Sequence, residues 1–274
     1  MSTASPAIAT VAGAPRVTAR PAGFVLDMAS VARRALRAIP REPEQMVTAL
    51  IVPMFFYILN VGALSKISHA GGNGVAFKAF ELPVAVVFAT TGVSRASALV
   101  LDIQNGYFDR LMITPVRRLP LLLGLMTADF TMVVGLAIPV VILGLAIGVH
   151  FATGVAGMVV FVLLSGTWGL VFTGLPYAIA LKTGSPSAVN ASFILFFPVT
   201  FLSTTFAPKQ FLSGWLATVA DYNPMTYILG GLRSLISTGW DPSALGQAVL
   251  AIGAFGILSI SLALLALRGR VRQP

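Results

Sequence analysis

The feature that most constrains this chain is a series of long apolar segments that are almost free of charge. Between Glu44 and Lys66 there is no Asp, Glu, Lys or Arg, and comparable runs recur along the sequence. A helix needs about 20 mostly apolar residues to cross about 30 Å of hydrocarbon. A soluble domain carries about 25% charged residues, whereas only 10% of this chain is charged. The sequence therefore predicts an all-α integral membrane protein.

Six segments are long and apolar enough to be transmembrane helices, although Arg95 interrupts the second and Asp129 the third. The predicted spans are residues 46–64, 82–101, 119–149, 155–181, 188–206 and 247–267. Together they make up one six-span membrane domain over residues 42–274. A tail over residues 1–23, rich in Ala, Thr, Ser and Pro, is predicted to be disordered and cytoplasmic.

The basic residues are distributed unevenly between the predicted loops, which sets the orientation in the membrane. With the N-terminus inside, only four of the 18 lie outside: Lys66, Lys78, Lys209 and Arg233. An even number of spans returns the C-terminus to the cytoplasm. The basic loops are expected to contact lipid headgroups, and a nucleic-acid partner is not expected.

Residues 24–41 have the periodicity of an amphipathic helix. Phe24, Met28, Val31, Ala35 and Ile39 recur at intervals of three and four residues, which places them on one face. The opposite face carries Asp27, Ser30, Arg34, Arg37 and Arg41. Such a helix is predicted to lie in the headgroup plane, either as an anchor or as an element that transmits force.

Catalytic and metal sites are not predicted. The phosphate-binding pattern G-x-x-x-x-G-K-[ST] does not occur, the chain has no Cys, and its two histidines, His69 and His150, are far apart. The chain is therefore not expected to be an enzyme, and neither a catalytic residue nor a metal ligand is assigned.

The cytoplasmic link between spans two and three combines apolar and charged residues. Asn105-Gly106 is expected to end the span helix in a sharp turn. Residues 107–113 can then form a short interfacial helix, which Pro115 ends. This helix would present Phe108, Leu111 and Met112 to a partner, beside the charged pair Asp109 and Arg110. On composition alone, an ordinary basic loop is the favoured interpretation.

This link resembles the signature of type-2 permeases of ATP-binding-cassette exporters, especially the daunorubicin-resistance-type drug permeases. The matching residues, in order and spacing, are Asp102, Gly106, Asp109, Arg110, Leu111, Thr114, Pro115 and Arg118. Gln104-Asn105 departs from it, because more charged residues are common at that place. A second match follows span five: Asn223, Pro224, Thr226, Tyr227, Leu232 and Arg233 resemble the family's Asn-Pro-x-Thr-Tyr element and its downstream Leu-Arg.

The resemblance implies a permease of a bacterial plasma membrane that exports a drug, an antibiotic or a lipid-like compound. Two ATPase subunits would bind ATP and Mg, so no cofactor is expected in this chain, and a second permease chain, the same or similar, would complete the dimer. The link would be the coupling helix. The residues implied in coupling are Asp102, Gly106, Tyr107, Phe108, Asp109, Arg110, Leu111, Thr114 and Pro115.

The outer segment between spans five and six contains two short apolar stripes on either side of Asn223-Pro224. It is predicted to form a re-entrant helical hairpin, with Asn223 capping the second half and Arg233 paired with Asp221. The hairpin is either a gate or a static lid. The gate residues would be Asn223, Pro224, Thr226, Tyr227 and Arg233.

Asp129 and the Phe-rich fifth span are candidates for the substrate path. An ionisable residue at membrane depth is a functional candidate, so Asp129 could meet a cationic substrate or pair with Arg95; the pair is slightly favoured. Phe196, Phe197 and Phe201 could line the path or face lipid.

Three other functions compete with drug export. A polysaccharide or glycolipid exporter is the closer alternative. An ion-coupled secondary carrier is the more distant one, because such carriers need ionisable relays and usually internal repeats. A membrane protein with an assembly role and no transport activity is a further alternative.

Overall fold

The computed structural model describes residues 23–41, 43–70, 77–106 and 118–271, and within these ranges the chain is helical, with no strand. The helices are α1 (Phe24–Ala38), α2 (Pro43–Ala70), α3 (Phe77–Thr91), α4 (Ala96–Gln104), α5 (Arg118–Ala146), α6 (Gly154–Thr183), α7 (Pro186–Ser192), α8 (Phe196–Phe201), α9 (Gly214–Tyr222), α10 (Pro224–Ser237) and α11 (Pro242–Val271). Short 3₁₀ turns follow α1 and α7 and precede α9.

Five helical segments are long and apolar enough to cross a membrane, which confirms the predicted class. They are Pro43–Ala63, Phe77–Gln104, Leu119–Ala146, Gly154–Thr183 and Pro242–Arg270. Each coincides with a predicted span to within a few residues, apart from the second and last, which begin about five residues earlier than expected. The predicted total of six spans is not confirmed by the part of the chain that the structure covers.

The segment predicted as the fifth span, residues 188–206, is short and interrupted. It consists of α7, a 3₁₀ turn and α8, and the apolar helical stretch covers only Pro186–Phe201. The hydroxyl groups of Ser203 and Thr205 both donate to the carbonyl oxygen of Thr200, each at 2.6 Å. Because these side chains occupy a carbonyl that a continuing helix would use, they favour a turn at this point.

The second span is broken near its C-terminal end, at residues 92–95 between α3 and α4. This span is the most enclosed of the five, since 72% of its most apolar 18-residue stretch is buried, against 11% for the α2 span. Around α3 pack α2, α5, α6 and α10. The apolar side chains of α2, such as Ile51 (60% exposed) and Phe55 (58%), point outward, as expected for a helix that faces lipid.

The helix α1 lies against the N-terminal half of α5. A Cβ atom placed on Gly124 would lie 2.8 Å from both the carbonyl oxygen of Met28 and the Cβ of Val31. Only glycine therefore allows the two backbones to approach so closely. Met28, Val31 and Ala35 of the predicted apolar face are buried or half-buried. The placement of α1 in the headgroup plane stays a prediction, as does the division of the chain into tail, interfacial helix and permease domain.

Candidate coupling and transport site

A buried carboxylate lies at the break in the second span. Asp129 of α5 is fully buried, and its oxygens accept hydrogen bonds from the backbone N–H of Arg95 (2.8 Å), the hydroxyl of Tyr177 (2.7 Å) and the hydroxyl of Ser94 (3.4 Å). The Ser94 hydroxyl in turn accepts from the N–H of Ala96 at 3.1 Å. We call Ser94, Arg95, Asp129 and Tyr177 the break cluster.

The break cluster satisfies backbone groups that the interrupted helix leaves without partners. The first N–H groups of any helix lack intrahelical acceptors, and here Asp129 and Ser94 supply two acceptors to the start of α4. A carboxylate is also favoured near the positive end of a helix. The cluster thus fixes the angle between α3 and α4, and a further bond from the Trp168 indole N–H to Thr91 (3.1 Å) holds the end of α3.

The relation between Asp129 and Arg95 takes a form that the sequence did not suggest. The backbone N–H of Arg95 donates to Asp129, and the charges of the two residues are also near enough to interact. Because Asp129 has no exposed surface, this conformation offers no direct opening to its carboxylate. A role for Asp129 in contacting substrate stays a prediction.

At its C-terminal end, α4 is tied to two other elements. The Arg34 guanidinium of α1 donates to both carboxylate oxygens of Asp102, at 2.6 and 2.8 Å. The amide of Gln104 donates to the carbonyl oxygen of Gly184, which follows α6, at 3.0 Å. Helix α4 is therefore held at both its start and its end.

The link itself is only partly covered by the structure. Gly106 has a φ of 67°, in the left-handed region, so the turn expected after α4 is present. Of the residues implied in coupling, Asp102 and Gly106 are described. The others lie outside the described residues: Tyr107, Phe108, Asp109, Arg110, Leu111, Thr114 and Pro115. The coupling helix stays a prediction.

The predicted outer segment contains two helices that meet at one residue, Asn223. Its side-chain oxygen accepts from the N–H of Met225 at 2.9 Å, which confirms the expected cap of α10. Its amide donates to the carbonyl oxygens of Val199 and Leu202, both at 2.7 Å. The hydroxyl of Tyr227 donates to the backbone of Asp221. One side chain thus joins α8, α9 and α10.

The expected pairing of Arg233 with Asp221 is wrong. Asp221 forms an ion pair with Lys209 at 2.7 Å, and this hydrogen bond raises the pKa of the Lys209 amine. Asp221 and Lys209 lie on the exposed side of the segment, whereas Arg233 faces inward. Its guanidinium donates to the Phe80 carbonyl (3.2 Å) and to the Thr204 hydroxyl (3.1 Å), and lies 3.5 Å from the centre of the Phe80 ring.

The phenylalanines of the predicted fifth span form a series of ring contacts with α3. The Phe88 ring is 5.0 Å from Phe196, 6.4 Å from Phe197 and 6.0 Å from Phe201, measured between centroids. Phe201 continues to Phe206 at 5.2 Å. Phe196 is buried, whereas Phe197 and Phe201 are 45% and 39% exposed. We call this set the aromatic ladder; its role in a substrate path stays a prediction.

A cleft opens beside the aromatic ladder, between α2, the break in the second span and α7. Its volume is about 540 Å³. Its lining includes the aromatic residues Phe88 and Phe193 and the polar residues Thr48, Ser97 and Asn190. Small-molecule sites have volumes of about 300–1,000 Å³, so the cleft is of suitable size for a drug-like compound.

Three residues that contribute to these sites were not predicted from the sequence: Tyr177, Trp168 and Glu81. Tyr177 and Trp168 are fully buried side chains with a polar tip, and a polar tip inside an apolar span is a signal that could have suggested a hydrogen-bonded role. Glu81 is 3% exposed and near enough to Arg233 for their charges to interact. Glu81 directly precedes the predicted second span and lies within it in the structure; an ionisable residue at such a position was a sign of a charged partner.

Comparison with known proteins agrees with these features. The sequence model of the ABC-2 type transporter family matches residues 28–237. The daunorubicin resistance ABC transporter permease protein DrrB1 of Streptomyces coeruleorubidus is 26% identical over 210 residues, which are 74% of this chain and 72% of that protein.

A second relative, named "Putative transport permease ycf38", comes from Cyanophora paradoxa. It is 25% identical over 226 residues, which are 78% of this chain and 75% of the relative. The family consists of membrane permease components, which normally work with an ATP-binding subunit. With its membrane-spanning helices and a match over most of its length, this chain belongs to the ABC-2 type transporter family and is a multi-pass membrane permease.

Proposed function

We propose that this chain is the membrane permease of an exporter that moves a hydrophobic or amphipathic compound, such as a drug, an antibiotic or a lipid-like molecule, out of a bacterial cell. ATP and Mg would be bound by a separate ATPase. Two copies of that ATPase would act on a pair of permease chains, identical or similar, in the plasma membrane, with both termini of each chain in the cytoplasm.

The observation that carries this proposal is the way α4 is held between the membrane core and the link. The break cluster fixes its start, while the Arg34–Asp102 ion pair and the Gln104–Gly184 bond fix its end. A helix held at both ends moves as a rigid rod, so a push on residues 107–117 would be carried to α1 and to the break. The match of the family's sequence model across this region supports the same assignment.

On the outer side, we propose that α9 and α10 form a re-entrant hairpin that acts as the gate. Its exposed aromatic residues, such as Trp215 (70% exposed) and Tyr222 (84%), suit the membrane–water interface, where Trp and Tyr are enriched. The inner helix α10 packs on α3, α6 and α11. Movement of α10 relative to α3 would change the outer end of the aromatic ladder.

Crosslinking tests the coupling proposal directly, because the chain has no native Cys. Leu111→Cys should crosslink to a protein that carries the ATP-binding motif, with a yield that depends on ATP. Trp215→Cys, on the predicted outer side, is the matched control and should not capture it.

Efflux provides the second measurement. Asp109→Ala combined with Arg110→Ala should abolish ATP-dependent efflux without changing the amount of permease in the membrane. If this double variant shows normal efflux and Leu111→Cys captures no ATPase, the link does not couple the permease to an ATPase partner. Transport on an ion gradient by the purified chain alone would indicate a secondary carrier instead.

A further inference from the structure

The last carbonyl groups of α10 accept hydrogen bonds from a distant part of the chain. The final four C=O groups of any helix lack partners within that helix. The Leu235 carbonyl oxygen accepts from the hydroxyl of Thr153 at 2.7 Å and from the N–H of the same residue at 3.4 Å. The Ile236 carbonyl oxygen accepts from the N–H of Ala152 at 3.0 Å. Both donors belong to residues 147–153 between α5 and α6, which we call the capping loop.

The capping loop is itself hydrogen-bonded at both ends. After α5, Gly148 has a φ of 90°, and the N–H of Val149 donates back to the Gly144 carbonyl oxygen at 2.9 Å, as in a Schellman cap. At the start of α6, Gly154 has a φ of 65°, and its N–H donates to the Phe151 carbonyl oxygen at 3.0 Å. These bonds define the directions in which the chain enters and leaves the loop.

The side chain of Thr153 is directed toward α10 by its surroundings. A Cβ atom on Gly157, one turn further along α6, would overlap this side chain. Glycine at that position therefore leaves the space in which Thr153 lies while its hydroxyl donates to Leu235. A β-branched side chain has few χ1 rotamers, so the hydroxyl loses little conformational freedom when it forms the bond.

The capping loop is anchored to helices other than α8 and α9. Val149 is 2% exposed within the core, and the Phe151 ring lies 5.3 Å from Phe161 of α6, measured between centroids. A Cβ atom on Gly144 would lie 2.7 Å from the Leu82 side chain, so α5 approaches α3 closely just before the loop. The loop is thus attached to a framework formed by α3, α5 and α6.

Helix α10 is therefore held at its two ends by different parts of the protein. Asn223 joins its start to α8, and the capping loop joins its end to the framework. We propose that the capping loop keeps α10 in its resting position against α3 and α6, and that Thr153 is the positioning residue of this contact. The proposal rests on the function proposed above only in treating movement of α10 as gating.

Thiol labelling of the full purified chain in a nonionic maltoside detergent tests this, since the chain has no native Cys. Ser234→Cys reports on α10, because Ser234 is buried and its hydroxyl donates to the Gly231 carbonyl oxygen of its own helix at 2.8 Å. Ser165→Cys in α6 is the matched control, because Ser165 is buried and bonded in the same way to Phe161 at 2.8 Å. N-ethylmaleimide reacts with such a thiol when local opening exposes it, so the rate reports the open population.

Loss of the Thr153 hydroxyl should expose residue 234 selectively. Thr153→Val keeps the shape of the side chain and should speed labelling of Ser234→Cys about threefold to twentyfold, the population change for one hydrogen bond inside a membrane protein. Gly157→Ala, which displaces the Thr153 side chain, should act in the same direction. Thr153→Ser keeps the hydroxyl and should label nearly as slowly as the unaltered loop. The labelling rate of Ser165→Cys should stay the same throughout.

A matched hydroxyl elsewhere on α6 controls for the substitution itself. The hydroxyl of Thr167 donates to the Leu163 carbonyl oxygen of its own helix at 2.7 Å. Thr167→Val should therefore leave the labelling of both reporter cysteines unchanged.

Unchanged labelling of residue 234 in Thr153→Val or in Gly157→Ala would overturn the proposal. Equal acceleration at residues 165 and 234 would also overturn it, because it would show a general loss of stability. So would labelling of Thr153→Ser as fast as that of Thr153→Val, because the hydroxyl would then not be the cause. The assay contains neither substrate nor ATPase, so this contact can fail the test while coupling at Leu111 holds, and the reverse.

Discussion

Removing the carboxylate of Asp129 should lower the free energy of unfolding, and the hydrogen bonds of the break cluster allow the size of that loss to be predicted. Asp129→Ala leaves two well-formed donors without an acceptor, the Arg95 N–H at 2.8 Å and the Tyr177 hydroxyl at 2.7 Å. The Ser94 contact at 3.4 Å is long and counts little. Asp129→Asn keeps the shape and one acceptor oxygen, so it should cost less than Asp129→Ala.

Two scales bracket the expected loss of unfolding free energy. A buried donor left unsatisfied costs about 1–3 kcal/mol, which gives about 2–6 kcal/mol for two. Hydrogen bonds measured inside a membrane protein average about 0.6 and reach about 1.7 kcal/mol, which gives about 1–3 kcal/mol. We expect about 2–3 kcal/mol for Asp129→Ala, where the scales overlap, and about half of that for Asp129→Asn.

Reversible unfolding in mixed micelles of dodecyl sulfate and maltoside, followed by tryptophan fluorescence, measures this loss. With Trp215 and Trp240 replaced by Phe, the buried Trp168, bonded to Thr91 beside the cluster, reports alone. A double-mutant cycle with Tyr177→Phe should give a coupling energy of about 0.6–1.7 kcal/mol. Additive effects in that cycle, or an Asp129→Ala protein as stable as wild type, would refute the cluster as the element that holds the break.

Three further predictions concern other contacts. Gly169→Ala places a Cβ atom 2.5 Å from the Thr90 carbonyl oxygen and should lower the free energy of unfolding by about 1–3 kcal/mol, measured in the same unfolding assay. The control Gly135→Ala, which has nothing within 4 Å of its Cβ, should be neutral. Asn223→Ala removes three hydrogen bonds and should destabilise the segment between α8 and α10, which limited proteolysis would detect as faster cleavage there. An unchanged rate of cleavage would argue that Asn223 does not hold these helices together. Arg34→Asp should lower ATP-dependent efflux, and adding Asp102→Arg should restore part of it, unless the ion pair is only a surface contact.

Apolar length predicted most of the membrane architecture, because the thickness of the hydrocarbon sets the length of a span directly. Five predicted spans therefore have a counterpart in the structure. The interruption at residues 92–95 was not predicted, since no proline marks it. It depends on Asp129, a residue 34 positions after Arg95, and single-sequence patterns do not contain such distant contacts.

In the segment between α8 and α10, too, the local contacts were predicted from the sequence and the distant contacts were not. The cap of α10 by Asn223 follows from the local preference of Asn before a helix, and it was predicted. The partner of Arg233 was not, because Phe80 precedes it by 153 residues. Proximity in sequence suggested Asp221, but the side chain's direction from α10 decides the contact, and that direction depends on which face of α10 packs against α3.

The position of Asn223 has a mechanical consequence for helices α8, α9 and α10. Its amide donates hydrogen bonds to the last turn of α8, and its side-chain oxygen accepts one from the first turn of α10. A tilt of α10 alone would break these bonds at once, so helices α8 to α10 are expected to travel as one block. Such a displacement must break the contacts of the Arg233 guanidinium with Phe80, together with the packing of α10 on α3, α6 and α11. It must also break the ring contacts of Phe88 with α8. Arg233 is thus one of the side chains that attach this three-helix unit to the rest of the protein.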